Sequence, residues 1–229
     1  MTRAIPPTPP RPPLADTALA RLKEGYTSGA RRLASRSMSG LARTRVTPNA
    51  LTTAGVSLCA AAAVLVYFEY RSELLFFWLA ALVFVVGSVL DILDGALARA
   101  GGKQSPFGAF LDSTTDRVSE AFVLGAIALV FHRRGNEVAL GFTFAAVVGS
   151  FLVSYTRARA EALGLKGDVG IGSRAERVVV ITAGLVLAPW WHCLDAAIYV
   201  LTVTAWFTVV QRVLSVRSQL RSTSDSTLG

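Results

Sequence analysis

Cysteine and histidine are nearly missing from this 229-residue chain, which has two of each. Cys59 and Cys193 lie in or beside apolar runs without metal-like spacing, so they read as small packing residues rather than as a disulfide or zinc framework. Charge is also scarce, at 17% of residues, low for a soluble protein. Acid is scarcer than base: 15 Asp and Glu stand against 23 Lys and Arg, a formal charge of +8. The N-terminus lacks an early apolar core, so no cleavable signal peptide is expected.

What the chain has in quantity is apolar sequence, 52% of all residues, and it is clustered. Leu51 to Phe68 and Leu74 to Leu90 run without charge, and a bilayer core takes roughly 20 apolar residues per helix. The length is that of one domain. The expected fold is an all-α integral membrane protein with six transmembrane helices, at about 50–70, 73–99, 106–131, 137–163, 173–191 and 194–215, within a membrane domain over 48–217. Before it stand a Pro-rich disordered tail at 1–13 and a basic amphipathic surface helix at 14–47. After it a polar tail at 218–229 should fray. Nine Lys and Arg residues precede Val46. Beside a membrane domain such a block suits anionic lipid better than nucleic acid. With six spans, nearly all cationic loops fall on one side, which puts both termini in the cytoplasm. A prokaryotic plasma membrane is the expected location.

Carboxylates interrupt the second and third spans at their cytoplasmic ends. Ionisable groups at membrane depth are costly and mark functional interiors. Asp91 and Asp94 share one side of a helix, which Gly95 and Arg99 continue. A short turn leads to Pro106, suited to a first helical turn, and then Gly108, Asp112 and Asp116 share a face. Two helices joined by so short a turn are expected to be antiparallel neighbours, presenting four carboxylates to one another. These repel in a low-dielectric site unless a cation offsets them. Ion pairing with Arg99, Lys103 and Arg117 is one way to do so. An all-oxygen ligand set suited to Mg²⁺ or Mn²⁺ is the other. Two such ions can clamp a pyrophosphate and stabilise in-line displacement at phosphorus. Gly95 and Gly108 would give a ligand access to the backbone, and the planar fork of Arg99 suits phosphate.

The stretch Asp91–Asp116 resembles the signature of the CDP-alcohol phosphatidyltransferases, Asp-x2-Asp-Gly-x2-Ala-Arg-x8-Gly-x3-Asp-x3-Asp. Asp91, Asp94, Gly95, Ala98, Arg99, Gly108, Asp112 and Asp116 match every fixed position. The resemblance covers roughly residues 45–215 and implies an enzyme of phospholipid biosynthesis. Members cleave a CDP-linked lipid such as CDP-diacylglycerol, or a CDP-archaeol-type ether analogue, release CMP, and join the phosphatidyl group to an acceptor hydroxyl. It further implies two Mg²⁺ (or Mn²⁺) ions on Asp91, Asp94, Asp112 and Asp116. Asp116 would be both ligand and catalytic general base. The CDP-lipid site would include Gly95, Arg99, Gly108 and Asn49, and the protein would be a homodimer.

A second basic cluster lies at the same membrane level: Arg157, Arg159, Lys166, Arg174 and Arg177, with Arg212 near the end of the last span. Positive-inside topology and pairing with Glu161 and Glu176 would account for single members. As a group they suggest an anionic acceptor, because Arg clusters bind phosphate well. Ser154-Tyr155, Ala158-Arg159-Ala160-Glu161, Gly164, Asp168, Arg174-x-Glu176-Arg177 and Gln211-Arg212 resemble the phosphatidylinositol-phosphate synthase branch. That branch uses inositol 1-phosphate. The departures are Arg157, where Lys is usual, and Ala175, where Pro is. The expected acceptor is a phosphorylated polyol, inositol 1-phosphate, held by Arg157, Arg159, Arg174, Arg177 and Arg212. Glycerol 3-phosphate, giving phosphatidylglycerophosphate, is the alternative acceptor. A cation- or proton-coupled transporter is the alternative of another class, although transporters tend to carry midplane acids and internal repeats, absent here.

Overall fold

Segments without charge and rich in helix formers become helices, and short polar caps separate them. The computed structural model describes residues 47–100, 105–190 and 192–227, except the side chains of Pro48, Arg99, Ala100 and residues 223–227. The expected 1–13 tail and the 14–47 surface helix, apart from Thr47, lie outside them. The described residues form six α-helices and no strand: α1 Pro48–Tyr67, α2 Glu73–Ala100, α3 Pro106–Arg133, α4 Glu137–Ala162, α5 Arg174–Leu187 and α6 Cys193–Thr227. A 3-10 helix, Phe68–Arg71, links α1 to α2.

The helix starts follow from their caps. Thr47 and Ser105 each precede a proline at the first helical turn, and their hydroxyls accept the N–H of Ala50 (3.3 Å) and Gly108 (2.9 Å). Asn136 caps α4 through the Ala139 N–H. Ser173 and Glu176 form a reciprocal capping box at α5. Gly164 ends α4 at φ +73°, a conformation open to glycine at no steric cost, and the Leu165 N–H turns back to the Ala160 carbonyl.

Four helical segments are long and apolar enough to cross a membrane: Asn49–Arg71, Glu73–Ala98, Glu137–Ala162 and Cys193–Ser222. This is an all-α membrane protein. α3 has the length but carries Asp112, Asp116, Arg117 and Glu120 in its first half. α5 has 14 residues, roughly 21 Å at 1.5 Å per residue, less than a ~30 Å hydrocarbon core. It is shorter than the 173–191 expected, closing just before Pro189. Outward faces are apolar, with Trp78, Leu82, Val89, Phe144, Val203 and Phe207 all exposed. Lipid rather than water suits such faces.

Two expectations need correction. First, α2 and α3 are not close neighbours. α1 packs along both, and α2 and α3 touch only slightly. The reason is size. Gly55 of α1 faces Gly87 of α2 so closely that a methyl added at Gly87 would lie 2.9 Å from the Gly55 carbonyl and 3.0 Å from Cys59 Sγ. That smooth seam draws α1 into the place α3 would otherwise take. Second, the last span does not end near 215: α6 runs on to Thr227, into the expected tail. Gln219 bonds both the N–H and the carbonyl of Lys166, each at 3.0 Å, which ties this part of α6 to the α4–α5 connection.

The core is apolar, with Phe77, Phe84, Val123, Ile127, Phe131 and Ile198 among its fully or nearly fully buried side chains. At the end away from the aspartates, Glu69 is 3% exposed. It accepts from Arg133 at 3.0 Å and Arg134 at 3.2 Å, fixing the α1–α2 connection to the end of α3. The Arg133 guanidinium also stacks 4.9 Å from the Tyr67 ring centre.

Overpacking a tight helix seam costs about 1–3 kcal/mol. Gly87→Ala is therefore expected to lower the detergent-solubilised melting temperature clearly. Gly125→Ala, where an added methyl meets nothing within 4 Å, should hold or raise it. Comparing the two melting curves checks the seam.

Candidate active site

The caps and seams deliver the acids to one end of the bundle. Asp91 and Asp94 lie on the last turns of α2, and Asp112 and Asp116 on the first turns of α3. Carboxylate oxygens of Asp91, Asp112 and Asp116 fall within 4.8 Å of one another. Asp94 stands slightly apart. It is 3% exposed, and its Oδ2 accepts a hydrogen bond from the Thr52 hydroxyl of α1. The intervening α1 thus contributes a residue to the acidic end, and Thr52 escaped the sequence reading. Its signal was present: Thr52 lies three residues beyond Asn49, within the first turns of the same helix.

Arg174, the first residue of α5, reaches into this cluster. Its Nη1 contacts Asp91 Oδ2 and lies 2.7 Å from Asp116 Oδ1. The second contact is ionic only, since Asp116 Oδ1 has no partner at hydrogen-bonding angles. Asp91 Oδ1 is likewise buried without a hydrogen-bond partner. One guanidinium therefore leaves acceptor oxygens unsatisfied, and a buried unsatisfied carboxylate oxygen is costly. The set fits a hard divalent cation: only oxygens, convergent, with acceptor capacity to spare. Asp91, Asp112 and Asp116 are the residues that could hold it.

Of the residues expected to meet the CDP-lipid, Gly108 sits in the first turn of α3, where its N–H bonds Ser105. Gly95 is half-buried on α2 and Asn49 is exposed on α1. The Arg99 side chain lies outside the described residues.

Beside the acids opens a cavity of about 630 Å³, lined by Asp112, Asp116, Arg157, Arg174, Arg177 and Arg212 among others. The structure brings together four of the five expected acceptor arginines. Arg159 is exposed on α4 and is not part of the lining. The four differ in freedom. Arg157 is exposed and pairs with Glu161 at 2.9 Å, one turn along α4. Arg177 is 5% exposed and forms a two-pronged pair with Glu120, at 2.8 and 2.9 Å. Arg212 bonds the carbonyls of Val169 (2.8 Å) and Val153. Glu120 and Thr208, which braces the Gly172 N–H at 2.9 Å, were also missed. In sequence each is simply a polar residue on a helix.

A cavity that brings five arginines beside the carboxylate cluster, with Glu161 and Asp168 also in its lining, suits transfer between two anionic substrates. Known proteins agree. The sequence profile of CDP-alcohol phosphatidyltransferases matches residues 45–214. The chain belongs to the CDP-alcohol phosphatidyltransferase family. Among relatives of this transferase, the archaetidylinositol phosphate synthase of Pyrococcus horikoshii is 39% identical over 182 residues, 79% of this chain and 88% of the relative. The phosphatidylinositol phosphate synthase of Mycobacterium tuberculosis is 34% identical over 184 residues, 77% of this chain and 82% of its own. The crystal structure of that mycobacterial enzyme with CDP-DAG bound superposes with a TM-score of 0.71 at 30% identity, covering 81% of this chain and 94% of the other. A second, in complex with manganese and citrate, gives the same score over 80% and 88%. A metal-dependent transferase of CDP-linked alcohols is thus the activity of this chain.

Removing a hydrogen bond to a buried carboxylate costs about 1–3 kcal/mol. Thr52→Val, which keeps the shape and deletes the donor to Asp94, should lower the melting temperature measurably. Ser57→Val should be milder, because that hydroxyl only returns to the carbonyl of Thr53 in its own helix.

Proposed function

We propose that this transferase moves a phosphatidyl group from CDP-diacylglycerol, or an ether analogue, to inositol 1-phosphate, releasing CMP and forming a phosphatidylinositol phosphate. The observation that carries the reading is the cavity beside the carboxylates, which is lined by Arg157, Arg174, Arg177 and Arg212. A free polyol needs no such charge, whereas a phosphorylated one does. The relatives named as archaetidylinositol and phosphatidylinositol phosphate synthases support the same acceptor class.

In this reading Asp91, Asp94, Asp112 and Asp116 hold two divalent ions, Mg²⁺ or Mn²⁺. When bound, they supply charge stabilisation to the pyrophosphate of the donor. Asp116 takes the proton of the acceptor hydroxyl as that oxygen attacks the lipid-side phosphorus. Its place between the acid cluster and the cavity supports this role. Asn49, Gly95, Arg99 and Gly108 lie along the CDP-lipid, the glycines permitting close approach. Arg157 and Arg174 hold the acceptor phosphate. Arg177 and Arg212, with several donors already used on the protein, add positive field and hold the wall. Arg159 belongs to the same basic surface at its rim. All six helices cross the membrane of a prokaryote, with both termini and the acids on the cytoplasmic side.

Purified protein supplied with CDP-diacylglycerol, Mg²⁺ and a panel of acceptors tests the reading through CMP release. Inositol 1-phosphate should turn over. Activity with glycerol 3-phosphate or serine, and none with inositol 1-phosphate, would overturn the acceptor. Chelation with EDTA should abolish turnover, and added Mg²⁺ or Mn²⁺ should restore it. Loss of a general base costs typically ~10²–10⁴-fold, so Asp116→Asn should cut kcat by that order. Full activity in that variant would refute its role.

A further inference from the structure

The wall of the cavity between α4 and α5 is built from a segment, residues 163–173, that has no helix or strand of its own. Asp168, Gly170, Gly172 and Ser173 face the cavity from it. Its backbone is held largely by side chains from helices. Gln219 bonds both backbone groups of Lys166. Arg212 donates to the Val169 carbonyl at 2.8 Å. Arg177 Nη1 donates to the Gly172 carbonyl at 2.9 Å, and Thr208 Oγ1 accepts the Gly172 N–H at 2.9 Å. Gly172 is thereby gripped from both sides.

Arg177 can grip only if its own orientation is fixed. Glu120 supplies that through two parallel hydrogen bonds, with side-chain exposures of 6% for Arg177 and 11% for Glu120. Among the described residues no other carboxylate forms an ion pair with Arg177. Glu120 lies one turn beyond Asp116 on α3, and four beyond it in sequence. The helix that carries Asp112 and Asp116 therefore also holds this wall of the cavity.

We propose that Glu120 is a positioning residue for the acceptor. It aims Arg177, and through Arg177 it fixes Gly172 and the wall formed by residues 163–173, in register with Asp116. The proposal rests on reading the cavity as the acceptor site. A pair that served folding alone would lower stability and affect both substrates alike. A positioning pair acts on the acceptor, because Asp168, Gly170 and Gly172 of the wall line the cavity read as the acceptor site, while the donor's phosphates are read as lying on the acid cluster. Glu120→Gln keeps the shape and removes the charge, leaving the guanidinium buried without its counter-ion.

The experiment uses full-length protein in nanodiscs, with CDP-diacylglycerol, Mg²⁺ and whichever acceptor the wild type turns over. Glu120→Gln is expected to raise acceptor KM at least about tenfold, equivalent to 1.4 kcal/mol or more. The KM for CDP-diacylglycerol should stay within about twofold, well under that threshold. Glu120→Asp, which keeps the charge, should recover part of the loss. Hydrogen exchange at the amides of residues 166–173 should quicken in Glu120→Gln without substrate present. If Glu120→Gln does not fold, Thr208→Val releases Gly172 from the opposite side without stranding a charge, and should shift acceptor KM and exchange in the same direction. Unchanged acceptor KM, equal rises in both KM values, no recovery with Asp, or unchanged exchange would each overturn the proposal. The exchange measurement needs no acceptor. A wild type inactive with any phosphorylated polyol would therefore refute the acceptor reading while the pinning of the wall was still decided.

Discussion

Three carboxylates converge within 4.8 Å at one end of an apolar helix bundle. Two unit charges ~5 Å apart repel by roughly 3 kcal/mol at an effective dielectric of 20. Positive charge must be brought to them, and much of the chain's organisation follows. Arg174 comes from the start of α5, placed there by the Ser173–Glu176 capping box. Behind it stand Arg177 and Arg212, each fixed by its own acceptors. The same arginines line the adjoining cavity, and in the proposed reading they receive an anion there. The proposed metal site and acceptor site would then be two consequences of one electrostatic problem.

The apolar part of the molecule solves a different problem, that of holding polar residues at a fixed depth. Gly55 and Gly87 let α1 and α2 approach closely, which aligns Thr52 with Asp94. At the opposite end the buried Glu69, with Arg133 and Arg134, ties the α1–α2 connection to the end of α3. Between these polar ends lies a core of Phe, Val, Leu and Ile side chains that specifies depth by packing alone. The arrangement suits phosphoryl-group transfer, in which protein groups contribute mainly position and charge.

Much of this was legible in the residue order. The long uncharged runs gave the helices, because burying or lipid-facing apolar length has few other solutions. The gapped Asp91–Asp116 signature gave the chemistry, because steps of three and four residues put side chains on one helix face whatever the surroundings. The proline and hydroxyl pairs at Thr47-Pro48 and Ser105-Pro106 gave helix starts. The positions of α2 and α3 were less legible. A short connection suggested direct packing, yet it constrains only the chain ends. The glycine seam placed α1 between them.

The basic cluster divides in the same way. Its composition announced an anion site, and four of its arginines do line one cavity. Sequence could not tell Arg157, which is exposed, from Arg177, which is locked to Glu120, nor could it show that Arg159 points elsewhere on α4. Local spacing determines which residues share a helix face, since the helical repeat is fixed by the backbone. Which faces then meet, which charges find partners, and which partner a buried arginine takes depend on contacts between residues distant in sequence, such as Thr52 with Asp94 or Lys166 with Gln219. Residue order alone determined that this chain carries a family's acids and a cluster of arginines. The tertiary structure decided which of those groups are free to act, because only packing determines where a side chain's hydrogen bonds are already spent.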